Sequence, residues 1–156
     1  MKLTKDLVVF ITGGASGLGE ETAREIHAAG CKVAIADMNE ERLELMQKEL
    51  KDRVLCIKCD VSSEEDVKRA IDETVKVFGT VHVAIACAGV LLASSTLTSK
   101  GSLDIKLFKK TIDINVYGSI YVAKYAAVVM AKNEAVNDRG EKGVIIFVSS
   151  VAAEEG

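Results

Sequence analysis

Five apolar runs divide the sequence, and they constrain the fold more than any other feature. They are rich in valine, isoleucine and alanine with few polar interruptions, which is typical of strands covered by helices on both faces. Helical periodicity marks most of the stretches between them. This alternation predicts a parallel sheet with right-handed crossovers, a doubly wound α/β fold of strand order 3-2-1-4-5. The runs cover residues 7–12, 32–37, 54–58, 81–89 and 143–150.

Two of the four intervening helices are predicted from their caps. Asn39 is a favourable N-cap residue followed by two glutamates, so the second helix is expected to begin there. Ser62 and Glu65 have the spacing of a capping box at the start of the third helix. Polar loops are expected over residues 92–102 and 133–142.

The first and fourth helices are predicted from periodicity. In the first, Leu18, Thr22 and Ile26 form a stripe that is expected to face inward. The fourth is long, about residues 103–131, and most of its circumference is apolar. Asn115 interrupts its apolar face, which fits either a functional side chain or a simple kink in the helix.

The composition predicts one intracellular domain. The chain has 156 residues, 49% of them apolar, and no proline- or glycine-rich linker divides it, so residues 1–156 are interpreted as one unit. Charges of both signs are interspersed with a net charge of −3, which disfavours nucleic acid as a partner. No apolar run is long enough to span a membrane, and the N-terminal segment is too soon charged for a signal peptide.

The four cysteines do not predict a disulfide framework or a metal site. Cys56 and Cys59 have the spacing of a redox or metal pair, but they fall in a predicted strand, where residues three apart point to opposite faces. No second cysteine pair or nearby histidine completes a zinc site, because His27 and His82 lie in unrelated segments.

A glycine-rich turn follows the first apolar run and opens the first helix. Its sequence, TGGASGLG, lets the backbone approach a pyrophosphate closely, while the helix N-terminus supplies free N–H groups and a positive dipole end. It departs from GxGxxG because Thr22 occupies the third position. The turn is either a phosphate cradle or only a tight connection. The candidate binding residues in it are Thr12, Gly13, Ser16, Gly17, Leu18 and Gly19.

Two aspartates end the next two predicted strands. Asp37 lies about 20 residues beyond the turn, where a carboxylate accepts hydrogen bonds from an adenosine ribose. Its charge would repel a 2′-phosphate, which favours NAD over NADP. Asp60 is expected at the adenine edge. Each aspartate also fits a plain turn residue.

These residues resemble the N-terminal part of a short-chain dehydrogenase/reductase. The TGxxxGxG motif, the acidic selector after the second strand, the adenine-side aspartate, the asparagine of the fourth helix and the serine after the fifth strand are all present. The resemblance implies a Rossmann-like fold, NAD as cofactor, and Ser150 and Asn115 as catalytic residues. It also implies a cofactor-binding set of Thr12, Gly13, Ser16, Gly17, Leu18, Gly19, Asp37, Asp60, Val61, Ala88 and Gly89.

Within that family, the segments VVFITGGASGLG, VAIACAG and SSVAAEEG resemble the type 2 3-hydroxyacyl-CoA dehydrogenases. Those are mitochondrial NAD enzymes that oxidise the 3-hydroxy group of acyl-CoA esters and some hydroxysteroids. The resemblance therefore implies such substrates and a mitochondrial-matrix location. This chain departs from the family at two positions, with Ala86 and Phe147 where an asparagine is usual.

The family's Tyr-x-x-x-Lys motif has no match in these 156 residues. The chain is therefore interpreted as truncated after the fifth strand and not catalytically competent alone. Ser150 could orient an alcohol, but the base that would deprotonate the alcohol is missing. A non-catalytic structural subunit of a larger assembly is the alternative. In either case a protein partner or a second copy is expected to cover the fourth helix and the fifth strand.

Overall fold

The computed structural model describes residues 2–91, 95–99 and 101–151, and its centre is a five-stranded parallel sheet. The strands lie in the order β3-β2-β1-β4-β5, which confirms the doubly wound α/β fold and the predicted order. A separate antiparallel pair of two-residue strands, Leu97–Thr98 and Gly101–Ser102, is left unnumbered. The sheet strands are β1 (Val8–Thr12), β2 (Lys32–Asp37), β3 (Val54–Lys58), β4 (Val83–Ala86) and β5 (Val144–Phe147).

The helices cover both faces of this sheet. Side chains of α1 and α2 share one apolar cluster with one face of the central strands, and side chains of α3 and α5 share a second cluster on the other face. This is the arrangement expected for right-handed crossovers on a parallel sheet. The helices are α1 (Gly17–Ala28), α2 (Glu40–Leu50), α3 (Glu64–Phe78), α4 (Ile105–Ile112) and α5 (Gly118–Met130).

The predicted long helix is present, but it is not a regular α-helix throughout. A π-helical turn, Asp113–Tyr117, joins α4 to α5. At its end the Gly118 N–H donates to the carbonyl of Asp113, five residues earlier instead of four. Such a turn accommodates one extra residue without ending the helix.

One predicted cap is confirmed and one is displaced. The Asn39 side chain accepts a hydrogen bond from the Arg42 N–H at 3.1 Å, as expected for the N-cap of α2. For α3 the capping box on Ser62 was wrong, because the N-cap is Ser63, whose hydroxyl accepts from the Asp66 N–H at 3.2 Å. Ser62 instead donates its hydroxyl to Asp60.

The inward face of α1 was predicted correctly only in part, because Ile26 packs against an apolar cluster of the core but Leu18 does not. Leu18 is 72% exposed, whereas Gly19, Ala23 and His27 are the buried residues of this helix. The reason is that Gly19 packs directly against the backbone of the preceding turn. The helix therefore turns Gly19 inward, and the adjacent Leu18 faces the solvent.

The polar segment 92–102 was expected to be a loop, and part of it forms the short antiparallel pair instead. Leu92–Ser94 and Lys100 lie outside the described residues, as do residues 152–156 of the family-like segment SSVAAEEG. Among the described residues, no helix combines the length and the apolar character needed to cross a bilayer.

Candidate functional site

A cleft of about 190 Å³ lies where the loops after β1, β2, β3 and β4 meet at the carboxyl edge of the sheet. Ligands of doubly wound folds bind at this edge, where neighbouring connections diverge to opposite faces. The predicted residues that line the cleft are Gly13, Ser16, Asp37, Asp60, Val61, Ala88 and Gly89. The predicted residues outside its lining are Thr12, Gly17, Leu18, Gly19, Asn115 and Ser150.

Two glycines bring backbone segments into direct contact around the cleft. Gly13 has a φ of +64°, and a Cβ placed on it would lie 2.7 Å from the Ala88 Cα. A Cβ on Gly19 would lie 2.1 Å from the Gly13 carbonyl oxygen. Any side chain at either position would therefore push the turn away from α1 or from the loop after β4.

The N-terminus of α1 opens toward solvent beside this turn. Ser16 is the exposed N-cap residue, and its side chain makes no capping hydrogen bond. The first helical hydrogen bond runs from the Glu20 N–H to the Ser16 carbonyl at 3.2 Å, so the amides of residues 17–19 precede it. Unpaired N–H groups and the positive dipole end favour an anion such as a phosphate here.

Asp37 ties the glycine turn to the end of β2. Its Oδ2 accepts from the Ala15 N–H at 3.0 Å, and its Oδ1 accepts from the Asn39 N–H at 3.0 Å. The carboxylate is half-buried and lines the cleft. Because each oxygen can accept more than one hydrogen bond, both can still receive hydroxyl donors from a ligand.

Asp60 is oriented by its own turn. Its Oδ1 accepts from the Ser62 N–H at 2.9 Å and from the Ser62 hydroxyl at 2.7 Å. The turn role considered from the sequence is therefore present in the structure. It is compatible with a binding role, because Asp60 also lines the cleft.

Asn115 lies in the π-helical turn and holds the loop after β4. Its Oδ1 accepts from the Val90 N–H, and its Nδ2 donates to the Val90 carbonyl, both at 2.9 Å. The amide side chain thus pairs with both backbone polar groups of Val90, as a neighbouring strand would. This geometry differs from a simple kink, because the irregular turn directs a specific amide at a specific backbone segment.

Thr12 reaches the site only through its neighbours. Its side chain is buried, and its hydroxyl accepts from the Ala88 N–H over a long 3.4 Å. Ala88 and Gly89 in turn form one wall of the cleft. Thr12 therefore positions that wall.

Ser150 lies three residues beyond the end of β5 and is exposed, on the same edge of the sheet as the cleft. The two positions that depart from the family are adjacent to each other, since Ala86 pairs with Phe147 in the ladder between β4 and β5. Phe147 is 56% exposed. The structure thus places an apolar side chain where the family usually has an amide.

The apolar part of the cleft was not predicted. Each missed residue adjoins a predicted one in the sequence, so proximity to the aspartates, to Gly89 and to Asn115 was a usable signal. Their side chains provide an apolar surface suited to a flat aromatic ring. The missed residues are Met38, Cys59, Val90 and Ile114.

The cysteines give no sign of redox or metal chemistry. Burial raises the pKa of Cys56 to about 11 and is the main reason that the pKa of Cys59 is raised to about 12. Such thiols carry almost no reactive thiolate at neutral pH. Within the described part of the chain, no group of three or more histidine, cysteine or acidic residues is arranged to hold a metal ion.

Comparison with known proteins identifies the family to which the chain belongs. The family model for short chain dehydrogenases matches residues 7–156. The chain belongs to the short-chain dehydrogenase family. A 3-hydroxyacyl-CoA dehydrogenase type-2 of Drosophila melanogaster is 36% identical over 156 residues, which cover 99% of this chain and 61% of that protein.

Two solved structures have the same fold. The 3-hydroxyacyl-CoA dehydrogenase type-2 of Mycobacterium avium superimposes with a TM-score of 0.90 at 33% identity, over 100% of this chain and 61% of the other. A 3-ketoacyl-(acyl-carrier-protein) reductase of Brucella melitensis, solved with NADH, gives 0.84 at 28% identity over 95% and 58%. This short-chain dehydrogenase chain therefore spans about three fifths of the length of these relatives.

Proposed function

We propose that this chain is the NAD-binding part of a dehydrogenase that moves a hydride between a secondary alcohol and NAD. The observation that carries the proposal is the Asp37 carboxylate, which sits at the end of β2 and is bonded to the glycine turn at Ala15. A phosphate would lie on the α1 N-terminus, the ribose hydroxyls on Asp37, and the adenine between the loops that carry Val61 and Gly89. The Brucella relative solved with NADH supports a nicotinamide cofactor.

Calorimetric titration with NAD and NADP tests the cofactor assignment. We expect weak but measurable NAD binding and a clear preference over NADP, since Asp37 repels a 2′-phosphate. Asp37→Asn is expected to reduce that preference about tenfold, the order of one charge-assisted hydrogen bond. Asp72→Asn on the outer face of α3 is the matched control and should leave both affinities unchanged. Equal binding of the two nucleotides by the parent chain would overturn the ribose assignment.

The chemistry needs a base that these 156 residues do not contain in the family's form. Alcohol oxidation requires removal of the hydroxyl proton as the hydride leaves, and bound NAD supplies the hydride acceptor. Ser150 is proposed to orient the alcohol oxygen. Asn115 is proposed to act from the π-helical turn, where its side chain already fixes Val90 beside the cleft.

We therefore expect no turnover of 3-hydroxybutyryl-CoA by the 156-residue chain alone. The assay follows NADH absorbance after repeated purification, with a complete short-chain dehydrogenase as positive control. Turnover at the level of the complete enzyme would contradict the proposal and would direct attention to the tyrosines of α5 as a base.

The proposed substrate is an acyl-CoA ester or a hydroxysteroid, and a second cavity supports the acyl-CoA. This cavity, about 430 Å³, shares Met38, Asp60, Val90 and Ile114 with the cleft. Lysines of α4 supply its positive charge, and no ion pair engages them within the described residues. They complement the phosphates of a CoA ester better than a neutral steroid. The three are Lys106, Lys109 and Lys110.

Binding of desulfo-CoA tests this substrate class without catalysis. Replacing Lys109 and Lys110 by glutamine is expected to weaken it several-fold, with a steeper loss at low salt. The control replaces Lys68 and Lys76 on α3, which removes the same charge elsewhere. Equal losses from both pairs would show only a general charge effect and would contradict the assignment.

A non-catalytic role in a larger assembly is the second candidate, and the exposed apolar surface of α5 and β5 favours it. Ile120 and Val128 on α5 are 52% and 56% exposed, and Ile146 and Phe147 on β5 are 42% and 56% exposed. Large exposed apolar side chains on two elements that contact each other favour an interaction site. We propose that a partner polypeptide or a second copy covers it.

Light scattering at micromolar concentration, with cross-linking in the native source, tests the covered surface. A monodisperse monomer without a cross-linked partner would refute it. The mitochondrial-matrix location stays a prediction, and fractionation of the native source is its test.

A further inference from the structure

Ala15, in the middle of the glycine turn, is held at both of its backbone polar groups. Its N–H donates to Asp37 Oδ2 at 3.0 Å, and its carbonyl accepts from Arg42 Nε at 3.1 Å. Ala15 itself is fully buried. The backbone of Ala15 therefore bridges the guanidinium of Arg42 and the Asp37 carboxylate, which is proposed to bind the ribose.

Glu20 of α1 determines where that guanidinium lies. One carboxylate oxygen of Glu20 accepts from Arg42 Nη2, and the other accepts from Arg24 Nε and Nη2 at 3.1 and 2.8 Å. The Glu20 side chain is only 12% exposed. Its pKa lies below the ordinary glutamate value, chiefly because Arg24 hydrogen-bonds the ionised carboxylate; burial opposes this and Arg42 adds to it. Glu20 is therefore a fixed negative charge at neutral pH.

Arg42 has the chemistry of a 2′-phosphate ligand but is already engaged. Its side chain is 46% exposed, and it lies in the first turn of α2, directly after the loop that begins at Asp37. A planar guanidinium binds a phosphate ester through paired hydrogen bonds. In this structure Nε donates to the Ala15 carbonyl and Nη2 donates to Glu20.

We propose that Glu20 is a second determinant of cofactor selectivity, acting through Arg42. Glu20 holds the guanidinium against the Ala15 carbonyl, which fixes the glycine turn and keeps Arg42 from binding a 2′-phosphate. Asp37 repels NADP directly, and Glu20 withholds the cation that would otherwise compensate for that repulsion. Both Glu20 and Arg42 are positioning residues. The proposal rests on the nucleotide-binding function proposed above.

Four variants separate this role from a general charge effect: Glu20→Gln, Arg42→Gln, their combination, and Glu49→Gln. The last removes the other partner of Arg24, which Glu49 contacts at 2.7 Å, and leaves the Arg42 contacts in place. The readout is the ratio of the NADP and NAD dissociation constants, measured by calorimetry at one fixed ionic strength. A purely structural role for Glu20 would change both constants together and leave the ratio unchanged.

We expect Glu20→Gln to shift the ratio toward NADP about tenfold, the size of one charge-assisted phosphate contact. Arg42→Gln is expected to weaken NAD a few-fold without improving NADP. The double variant should lose the shift, and Glu49→Gln should match the parent. An unchanged ratio in Glu20→Gln, a shift that survives in the double variant, or the same shift in Glu49→Gln would each overturn the role of Glu20.

Two further results keep the test decisive. If the parent chain binds neither nucleotide, the proposed function fails and the selectivity claim fails with it; if the parent binds NAD and the ratio stays fixed, only Glu20 is refuted. Should Glu20→Gln not fold, Asp37→Asn with and without Arg42→Gln tests the same guanidinium. The NADP affinity gained by removing the Asp37 charge is then expected to fall about tenfold when Arg42 is also removed, and an unchanged affinity would refute the idea.

Discussion

Strands β1 and β5 are both short, parallel and apolar, yet their surroundings are opposite. Every residue of β1 is buried, whereas no residue of β5 is buried and Phe147 is 56% exposed. β1 lies between two strands and under both helical layers, while β5 pairs only with β4 among the described residues. Similar local sequences thus acquire different burial from their position in the sheet.

An edge position alone does not explain the exposure of β5, because β3 is also an edge strand. There the Cys56 N–H donates to the Gln47 side chain of α2 at 3.2 Å, and Lys58 pairs with Glu40 of the same helix at 2.6 Å. A polar helix therefore covers part of this edge. The edge at β3 is therefore partly covered by α2, whereas Ile146 and Phe147 of β5 stay exposed.

The largest expected difference comes from replacing one phenylalanine in each of the two strands. Phe10→Ala in β1 should cost about 3–5 kcal/mol of unfolding free energy, because it leaves a cavity between buried strands and helices. Phe147→Ala in β5 should cost less than about 1 kcal/mol, as expected for an exposed side chain. Urea unfolding of both variants at the same protein concentration measures the difference. Equal losses would mean that Phe147 is covered, and the contrast between the strands would fail.

A smaller effect on the free energy of unfolding is expected at Asn115 in the π-helical turn. Asn115→Leu removes two hydrogen bonds to the Val90 backbone and should cost about 1–2 kcal/mol, since each neutral hydrogen bond contributes about 1 kcal/mol. NAD affinity should fall as well, because Val90 lines the cleft. Ser119→Ala is the control, since its hydroxyl donates to the backbone carbonyl of Asn115 within the helix at 2.9 Å. A loss no larger than the control's would show that the π-helical turn holds without its asparagine.

The smallest effect is a pH dependence at the opposite edge of the sheet, where His82 Nδ1 accepts from the Val8 N–H at 3.1 Å. Burial, with a contribution from Lys32, lowers the pKa of His82 below its ordinary value. The unfolded chain then binds more protons than the folded one, so this contribution to stability is complete above about pH 6.5 and declines as the pH falls toward the folded pKa.

For one proton the slope cannot exceed about 1.4 kcal/mol per pH unit. Thermal unfolding of the parent and of His82→Gln between pH 5 and 7.5 measures it. The variant should show a flatter profile over the lower half of that range, and parallel profiles would locate the dependence elsewhere.

Several features of the fold could be predicted because they depend on neighbouring residues. The strands β2 and β3 match the predicted runs to the residue, since each apolar run is bounded by charged residues or a turn. The glycine turn and Asp37 were predictable for the same reason, because the local sequence forms them and the strand end aims them. Asn39 was recognised as a cap from its own side chain and the following acidic turn.

The features that were missed depend on residues far apart in the sequence. In the π-helical turn, Asn115 is hydrogen-bonded to Val90, which is 25 residues away, and no period within the helix encodes that pair. Leu18 of α1 was wrongly placed inside because Gly19, not an apolar side chain, makes the close contact with the turn. Ser62 and Ser63 are adjacent hydroxyls, and the hydrogen bond from Ser62 to Asp60 leaves Ser63 to cap the helix.

The π-helical turn also sets the rotational phase between the two halves of the long helix. Each residue advances an α-helix by about 100°, and the wider turn takes up one residue, so the residues before it face a direction that differs by that angle from a regular helix of the same sequence. If Asp113–Tyr117 wound as a regular α-helix with all its residues, the face bearing Lys106 and Lys110 would turn by about 100° around the axis, whereas deleting one residue would leave that face in place. The winding of a single turn therefore decides whether those positive charges line the second cavity or face the solvent.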